Sequence, residues 1–378
     1  MATLLILPTV ILTGVIAVVY ITYFYASLSR KEEKLDVLSK YPPISIVFAA
    51  YNEGKVIEGR LKNIAQSDYP ENIEIVIVND ASEDDTEPVS LGAFEKYGLS
   101  GKVIKNEKRS GVNFSMGRGI TEAKNEIVVC TDADVYCNAD AIKLLVSKLL
   151  SSDDIGAVTG DLQPYLGDET TKKSEGAYRS IYGKICEWES EVASTYCFNG
   201  ALYAIKKNAP STLDIKDGAF DAGIAFSIIK NGYRALYLPS AKVFENIPDD
   251  MSAQFKQKTR RAQRLIKATW INRNMISKKY GKFGGKILPL RVTAFLIVPA
   301  AFITSLIFWT YIFSSINLLF LPVITILFIL ATVSGSWRSN LVSSFILHQI
   351  YLLFGLFNLF KDTHVWELTE RKEEGLKG

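Results

Sequence analysis

The sequence predicts an α/β domain placed between apolar helices, with one such helix before it and three after it. Between residues 43 and 285, short β-branched runs alternate with helical patterns, which is typical of a mostly parallel sheet with helices on both faces. Hydrophobic residues make up 48% of the 378 residues, and they are concentrated in four stretches outside this region. Each stretch is close to the length of roughly 20 apolar residues that crosses a bilayer.

The first apolar stretch, residues 4–25, contains no charged side chain and ends in tyrosine and phenylalanine. A cleaved signal peptide would have basic residues ahead of its apolar run, and no Lys or Arg precedes this one. Because aromatic side chains are enriched at membrane interfaces, we expect a retained transmembrane anchor over residues 1–28. A linker over 29–42 would follow it.

Three further apolar stretches, residues 292–313, 316–334 and 341–360, are separated by short polar breaks. Three consecutive stretches favour membrane spans over buried core helices, so a transmembrane bundle with a tail is expected over 286–378. Basic residues follow the first span and precede the second. By the positive-inside rule, this arrangement predicts a multi-pass protein of the cell membrane whose central domain, 43–285, is cytoplasmic.

Within the central domain, apolar β-branched runs predict strands, and the patterns between them predict helices. The expected strands cover residues 44–50, 73–78, 102–105, 127–131 and 156–160, with another in CFNGALYAIKK at 197–207. The expected helices include residues 112–124, 140–150, 171–193, 220–231 and 251–280. The last one is basic with interleaved apolar residues, a pattern that suits a helix on the membrane surface and equally the solvated face of an ordinary helix.

Polar residues follow three of these strands. Residues 51–53, Tyr-Asn-Glu, come directly after the first strand, Asp80 follows the second, and Asp132 and Asp134 follow the run at 127–131. Because ligands of mostly parallel sheets bind at the carboxyl ends of the strands, these residues are expected to share one binding edge. We find no internal repeat in the chain.

The two carboxylates of Asp132 and Asp134 are one residue apart, so in extended backbone they point the same way and repel each other. A hard cation such as Mg²⁺ or Mn²⁺ prefers carboxylate oxygens and leaves positions for a diphosphate. The alternative is a pair of exposed loop aspartates, because two aspartates at this spacing are a weak motif by themselves.

Composition excludes several kinds of chemistry. The net charge of +3 is too small to indicate a nucleic-acid partner. The four cysteines show no CxxC spacing and are most simply buried thiols. The two histidines, His348 and His364, both follow the central domain. Acid–base chemistry in that domain must therefore use a carboxylate.

Six motifs taken in order resemble the inverting family 2 glycosyltransferases with a GT-A fold. The resemblance is to their membrane-bound branch of cellulose, hyaluronan and poly-N-acetylglucosamine synthases and ceramide glucosyltransferases. It covers about residues 42–270 and implies a Rossmann-like mixed sheet that binds a nucleotide sugar. The motifs are PPISIVFAAYNE at 42–53, VNDASEDDT at 78–86, KRSGVNFSMGRGI at 108–120, CTDADV at 130–135, FDAG at 220–223 and QKTRR at 257–261.

The resemblance implies a role for each matching residue. Asp221 would be the general base, although an aspartate in the first turn of a helix also caps it well. Gln257 and Arg260 would face the leaving diphosphate, where a fixed cation stabilises developing charge. The remaining implied residues are Tyr51, Glu53, Asp80 and Asp132 for the nucleotide sugar, Asp132 and Asp134 for Mn²⁺ or Mg²⁺, and Phe198, Asn199 and Gly200 for the acceptor.

The chain departs from the family pattern at four positions. Val112 replaces the lysine of the third motif, which removes a basic residue near the donor, and Gly117 replaces an asparagine. Phe220 replaces the glutamate that commonly precedes the base, and Arg261 replaces a tryptophan that usually helps to line the acceptor site. These changes affect acceptor identity and processivity more than they affect catalysis.

The function expected from the sequence is a membrane-embedded, metal-dependent transfer of sugar from a nucleotide sugar, UDP-linked by preference, to a lipid or lipid-linked glycan. A processive polysaccharide synthase is the alternative, with a homodimer or a partner membrane subunit supplying further helices. A hydrolase also uses paired carboxylates but needs no nucleotide. An oxidoreductase is disfavoured because no GxGxxG follows the first strand, and an ion channel because the spans carry almost no ionisable residue. The possibility of an inactive protein that retains the fold is left open by the sequence.

Overall fold

The computed structural model describes residues 2–28, 38–165, 169–246, 251–337 and 341–361. These residues form two compact units. The sheet unit contains the described residues of 38–165 and 189–246, and the helical unit contains those of 2–28, 169–188, 251–337 and 341–361. The predicted linker over 29–42 lies mostly outside the described residues, as does the tail after 361.

The described strands form one mixed sheet of eight strands in the order β3-β2-β1-β4-β7-β6-β8-β5. They are β1 Ile44–Ala50, β2 Ile73–Asn79, β3 Ser100–Lys105, β4 Ile127–Thr131, β5 Val135–Cys137, β6 Ile155–Pro164, β7 Leu202–Lys206 and β8 Arg234–Glu245. Strand β1 is parallel to β2 and β4, whereas β7 runs antiparallel to both β4 and β6. The mixed α/β sheet implied by the resemblance is therefore present, and the sequence patterns had not indicated β5 and β8.

The helices in chain order are α1 Ala2–Leu28, α2 Ile57–Ala65, α3 Thr86–Tyr97, α4 Val112–Glu122, α5 Ala141–Leu150, α6 Glu169–Val192, α7 Phe220–Lys230, α8 Met251–Ile271, α9 Leu288–Val292, α10 Val298–Ile316, α11 Phe320–Trp337 and α12 Leu341–Phe357. Helices α2, α3, α4, α5 and α7 belong to the sheet unit. Each of the first three parallel strands is followed by one of these helices, as the alternating pattern predicts.

The core of the sheet unit lies around β1, whose seven residues are all buried. Ile44, Ile46 and Phe48 alternate along the strand and share one cluster of buried apolar side chains. On the other face, a Cβ atom added at Gly119 of α4 would lie 2.4 Å from Val47 Cγ1. The glycine lets α4 pack closely on the centre of the sheet, which places the N-terminus of α4 near the ends of β1 and β2.

Two helices of the described chain are long and apolar enough to span a membrane, rather than the four that were predicted. One is Ala2–Ala26. The other is a continuous helix over Phe283–Ile316 that includes α9, α10 and two wider turns at Phe283–Ile287 and Thr293–Ile297. Two shorter apolar helices, Phe320–Ala331 and Val342–Phe357, follow within the described part of the chain.

The basic helix predicted over residues 251–280 ends early, at Ile271. Two short turns follow it, at Arg273–Met275 and Lys278–Tyr280. The Asn272 side chain ends the helix by donating to the carbonyl of Ala268 at 2.8 Å. Asparagine competes for backbone groups in this way and so favours helix ends over helix interiors.

Candidate active site

The loops that follow β1 and β2 are joined at the carboxyl edge of the sheet. Asn52 and Ala81 have positive φ values of 53° and 59°, which is uncommon for residues other than glycine. The amide of Asn52 donates to Ser82 Oγ at 3.0 Å, and the amide of Glu83 donates to Asn52 Oδ1 at 2.9 Å. Backbone conformations of this kind cluster at functional sites, where surrounding contacts hold them.

Tyr51 and Arg109 stack at this edge. The Arg109 guanidinium carbon lies 3.8 Å from the centroid of the Tyr51 ring, a distance typical of a cation–π contact. Together with Asp80 and neighbouring backbone, they line a small cavity at this edge. The cavity therefore brings an aromatic face, a guanidinium and a carboxylate together.

The carboxylate of Asp80 is buried and accepts three hydrogen bonds. Its Oδ1 atom accepts from Asn106 Nδ2 at 2.7 Å and from the Ser110 amide at 2.8 Å, and its Oδ2 atom accepts from the Gly111 amide at 2.8 Å. Asp80 thereby fixes the loop that carries Arg109. Arg109 was not among the predicted site residues, although its place two residues before Gly111 in the third motif was a usable signal.

Glu53 lies in the turn that follows β1 rather than in the cavity beside Tyr51 and Arg109. The residue is only 3% exposed. Its amide donates to Thr86 Oγ1 at 2.8 Å, and its carbonyl accepts from the amides of Val56 and Ile57 at 3.0 Å. Glu53 therefore begins the turn into α2 and links it to the first residue of α3.

Asp132 and Asp221 approach the same point in space, which is marked by Gly200. A Cβ atom added to Gly200 would lie 3.8 Å from Asp132 Oδ2 and 3.9 Å from Asp221 Oδ2. The antiparallel register of β4 and β7 pairs Thr131 with Leu202, so the residues before β7 lie beside those after β4. The fold thus places two carboxylates around a position that has no side chain.

A buried arginine forms a hydrogen bond with the last residue of β4. Arg60 is 1% exposed and donates from Nη2 to Thr131 Oγ1 at 2.9 Å. The Thr131 hydroxyl in turn donates to the carbonyl of Ala201 at 2.6 Å. These bonds tie the residue before Asp132 to the residue after Gly200, so the positions of both are fixed by the same network. Nothing in the sequence patterns had marked Arg60.

Asp132 and Asp134 lie in the turn between β4 and β5 rather than within a strand. In the described part of the chain, no group of three or more His, Cys, Asp or Glu side chains is arranged to hold a metal ion. A pair of carboxylates still fits Mg²⁺ or Mn²⁺, because such ions commonly take one or two carboxylates and complete their shell with water and substrate phosphates.

The three predicted acceptor residues differ in their surroundings. Phe198 is buried, and its ring centroid lies 5.8 Å from that of Tyr203. The side chain of Asn199 donates to the carbonyl of Gly160 at 2.6 Å and accepts from the amide of Leu202 at 3.3 Å. Gly200 faces the carboxylates of Asp132 and Asp221.

Gln257 and Arg260 lie on α8 in the helical unit. The contacts described above all fall within the sheet unit and bring together Tyr51, Asp80 and Arg109, and separately Asp132, Gly200 and Asp221. The roles of Gln257 and Arg260 at a leaving diphosphate stay predictions.

Two family models match the chain. Residues 45–204 match Glycosyl transferase family 2, and residues 127–358 match Glycosyl transferase family group 2. The second match covers more than half of the 378 residues. It includes Asp132, Gly200 and Asp221, the three residues that meet in the sheet unit.

Curated relatives and a solved structure agree with this family. A poly-beta-1,6-N-acetyl-D-glucosamine synthase of Staphylococcus epidermidis is 27% identical over 252 residues, which are 64% of this chain and 60% of that protein. A synthase of the same name from Staphylococcus aureus is 27% identical over 251 residues, with the same coverage. The chain therefore spans about 60% of the length of the curated relatives that it matches.

A mannosyltransferase from Pyrobaculum calidifontis, solved in complex with GDP-Man and Mn²⁺, shares the fold with a TM-score of 0.74 at 23% identity. The similarity covers 93% of this chain and 99% of that one. It confirms the predicted mixed α/β architecture of the GT-A type. Together with the family model over residues 127–358, this fold shows that the chain belongs to Glycosyl transferase family group 2.

Proposed function

We propose that the protein is a membrane-embedded, metal-dependent inverting glycosyltransferase that moves a sugar from a nucleotide sugar to a membrane-associated acceptor. The observation that carries the proposal is the approach of the Asp132 and Asp221 carboxylates to Gly200, a position that has no side chain. A transferase of this kind needs one carboxylate for a metal-bound diphosphate and a second one for the acceptor proton. The space beside Gly200 is where the reacting sugar would lie.

Asp221 acts as the general base in this proposal. It accepts the proton of the acceptor hydroxyl as that oxygen forms a bond to the anomeric carbon, and the bond to the nucleotide diphosphate breaks on the opposite face. The single displacement inverts the anomeric centre. A bound Mn²⁺ or Mg²⁺ supplies charge neutralisation for the departing diphosphate, and Asp132 and Asp134 are the residues that would hold it.

The donor nucleotide is proposed to occupy the cavity lined by Tyr51, Asp80 and Arg109. The Tyr51 ring offers a face for the base, and Arg109 supplies the cation that Val112 does not provide in the third motif. Guanidinium groups bind phosphate and carbonyl oxygens through paired hydrogen bonds. The UDP-linked donor expected from the sequence fits this arrangement, and a donor panel distinguishes it from a GDP-linked one.

The acceptor class separates two versions of the function. Two helices of the described chain are long and apolar enough to cross a membrane, and so few would favour transfer to a lipid or a lipid-linked glycan over a polymer channel. The relatives named poly-beta-1,6-N-acetyl-D-glucosamine synthase favour a processive polysaccharide synthase. In that case a second copy or a partner membrane subunit would supply the missing helices.

The positive charge of residues 251–361 supports a membrane setting with the central domain on the cytoplasmic side. Residues 251–361 contain fourteen Lys and Arg residues and no Asp or Glu. Most of the basic residues precede the long helix Phe283–Ile316. Positive charge beside a span is typical of the cytoplasmic side and is attracted to anionic lipid head groups.

Nucleotide release from the purified protein in lipid nanodiscs tests the proposed function. UDP- and GDP-sugars would be compared with Mn²⁺, with Mg²⁺ and with EDTA, each with and without a native lipid extract. Release that requires one donor, a divalent cation and the extract would support the lipid acceptor. Long glycan formed without the extract would support the synthase. Absence of both nucleotide binding and nucleotide release would refute the glycosyltransferase assignment.

Gly200→Ala is expected to reduce turnover about 100-fold without loss of folding. The added methyl group would meet Asp132 and Asp221 at 3.8–3.9 Å, an ordinary contact distance, yet it would occupy the space proposed for the reacting sugar. A misplacement of about 1 Å at a reacting centre can cost a factor of this size. Steady-state turnover and the melting temperature measure the two effects. Gly92→Ala in α3 is the control, because nothing lies within 4 Å of its added Cβ atom. Normal turnover by Gly200→Ala would contradict the placement of the reacting sugar beside Gly200.

Arg109→Ala is expected to raise the KM for the donor by about 10- to 100-fold, since a hydrogen bond to a charged group contributes about 1.5–3 kcal/mol. The acceptor KM should not change. Donor saturation curves measured beside Lys108→Ala, whose side chain is exposed, separate a specific contact from a general loss of positive charge. Equal effects of both variants would argue against a donor contact by Arg109.

A further inference from the structure

Helix α2 packs against the segment that carries the two aspartates proposed to hold a metal ion. These aspartates lie in the turn of residues 132–134 between β4 and β5. A Cβ atom added at Gly59 of α2 would lie only 3.0 Å from the hydroxyl of Tyr136 in β5. Arg60 and Asn63 are three residues apart on α2, so they share one face of the helix. Both side chains reach the strands on either side of the turn.

Arg60 binds the strand that leads into the turn. Its Nη2 atom donates to Thr131 Oγ1 at 2.9 Å, and Thr131 is the last residue of β4. The Thr131 hydroxyl passes this contact on to the carbonyl of Ala201 at 2.6 Å. The residue directly before Asp132 is therefore held by a side chain from α2 and by the backbone beside Gly200.

Asn63 binds the strand that leads out of the turn. Its Oδ1 atom accepts from the amide of Cys137 at 2.9 Å, and its Nδ2 atom donates to the carbonyl of Cys137 at 3.0 Å. The same Oδ1 atom accepts from Arg60 Nη1 at 2.6 Å. A continuous set of hydrogen bonds thus joins Thr131, at the end of β4, to Cys137, at the end of β5. Both aspartates of the turn lie between these two anchored residues.

Packing alone does not explain an arginine at this position. Arg60 is 1% exposed, and the acceptors described above, on Asn63 and Thr131, are neutral. Burial of a charged group costs free energy that neutral partners only partly offset. An apolar side chain of similar length would pack α2 on the sheet at lower cost. Only the guanidinium has several donors in a rigid planar fork, which lets one side chain bind Asn63 and Thr131 together.

We propose that Arg60 is a positioning residue for the metal site and that Asn63 acts with it. Together they hold the two ends of the turn, so that the carboxylates of Asp132 and Asp134 are in place before the ion binds. This role rests on the proposed function, in which these aspartates hold the ion. Residues that orient metal ligands from outside typically change metal affinity by about 10- to 100-fold when they are replaced.

Two variants of the full chain in nanodiscs test the proposal. Arg60→Met keeps the length of the side chain and removes the donors, and Thr131→Val removes the hydroxyl and keeps the shape. Mn²⁺ titrations followed by electron paramagnetic resonance, with UDP and with GDP in turn, should show the Kd for Mn²⁺ raised about 10-fold or more in each. The double variant should bind Mn²⁺ no more weakly than Arg60→Met alone, because both changes break the same set of bonds.

A merely structural role would give a different result. It would lower the melting temperature and leave the Mn²⁺ affinity of the folded protein unchanged, and that result would overturn the proposal. Additive losses in the double variant would also overturn it, because Arg60 would then not act through Thr131. If Arg60→Met does not fold, Thr131→Val decides the question, because valine has the same shape as threonine and suits a strand.

Arg234→Met is the matched control in the same unit. Arg234 begins β8 and donates to the carbonyls of Ala193 at 2.9 Å and Ser190 at 2.7 Å. Strand β8 is parallel to β6, and both β6 and β4 are antiparallel to β7, so Arg234 lies at the opposite edge from the turn. Its removal should lower the melting temperature and leave the Mn²⁺ affinity unchanged. An equal loss of Mn²⁺ affinity in Arg234→Met would refute a specific role of Arg60.

The same titrations separate this proposal from the proposed function. A wild type that binds Mn²⁺ and transfers sugar, beside Arg60→Met and Thr131→Val variants with equal Mn²⁺ affinity, would refute the positioning role alone. A wild type that binds no Mn²⁺ in the presence of either nucleotide would refute the metal-dependent function, and the role of Arg60 with it.

Discussion

Asp221→Asn is expected to lower kcat for sugar transfer by about 1,000-fold while the donor still binds. A general base contributes a factor of this order, and asparagine keeps the shape of the side chain but cannot accept the proton. Asp221 lies in the first turn of α7, where a negative charge contributes up to about 1 kcal/mol to the helix. The melting temperature should therefore fall only slightly. Steady-state kinetics and donor titration by calorimetry measure the two quantities.

Asp214→Asn is the matched control for this variant. Asp214 lies seven residues before Asp221, its side chain is 71% exposed, and it pairs with Lys216 at 3.5 Å. Exposed ion pairs contribute little to stability, so this variant should behave like the wild type. If Asp221→Asn kept more than about a tenth of the activity, the base would have to be another group, and Asp221 would be left with a favourable charge in the first turn of α7.

Asp132→Asn is expected to abolish metal-dependent donor binding and to reduce activity by about 1,000-fold. Metal charge at a departing phosphate contributes several kcal/mol to transition-state stabilisation, and each 1.36 kcal/mol is a factor of ten in rate. The neutral amide is a poorer ligand for a hard cation than a carboxylate is. Mn²⁺ titrations followed by electron paramagnetic resonance, with and without the nucleoside diphosphate, measure the loss directly.

Asp153→Asn controls for a general change in surface charge, because Asp153 is exposed in the turn before β6. Asp132→Asn should shift the Mn²⁺ titration, whereas Asp153→Asn should not. Unchanged Mn²⁺ dependence in Asp132→Asn, together with normal turnover, would remove the metal-ligand role and leave Asp132 and Asp134 as loop aspartates.

Sequence patterns predicted the parallel half of the sheet well. The runs that became β1, β2 and β4 are continuous and apolar because these strands are buried on both faces, and that pattern is local in the chain. The patterns missed β5 and β8. β5 has only three residues and depends on its pairing with β8. β8 contains Pro239 with a partly exposed neighbour and depends on its pairing with β6. Of the four predicted spans, those at 4–25 and 292–313 fall in helices of the described chain that are long and apolar enough to cross a membrane.

Local patterns account for the residue types at the strand ends, since Tyr51, Asp80 and Asp132 directly follow buried apolar runs. Which distant side chains join them depends on the tertiary fold. Gly200 reaches Asp132 through the antiparallel register of β4 and β7, and Asp221 approaches the same point from the first turn of α7. Arg109 reaches Tyr51 because Asp80 holds its loop. Arg60 could not be recognised from the sequence, because its burial and its bond to Thr131 depend on packing between segments far apart in the chain.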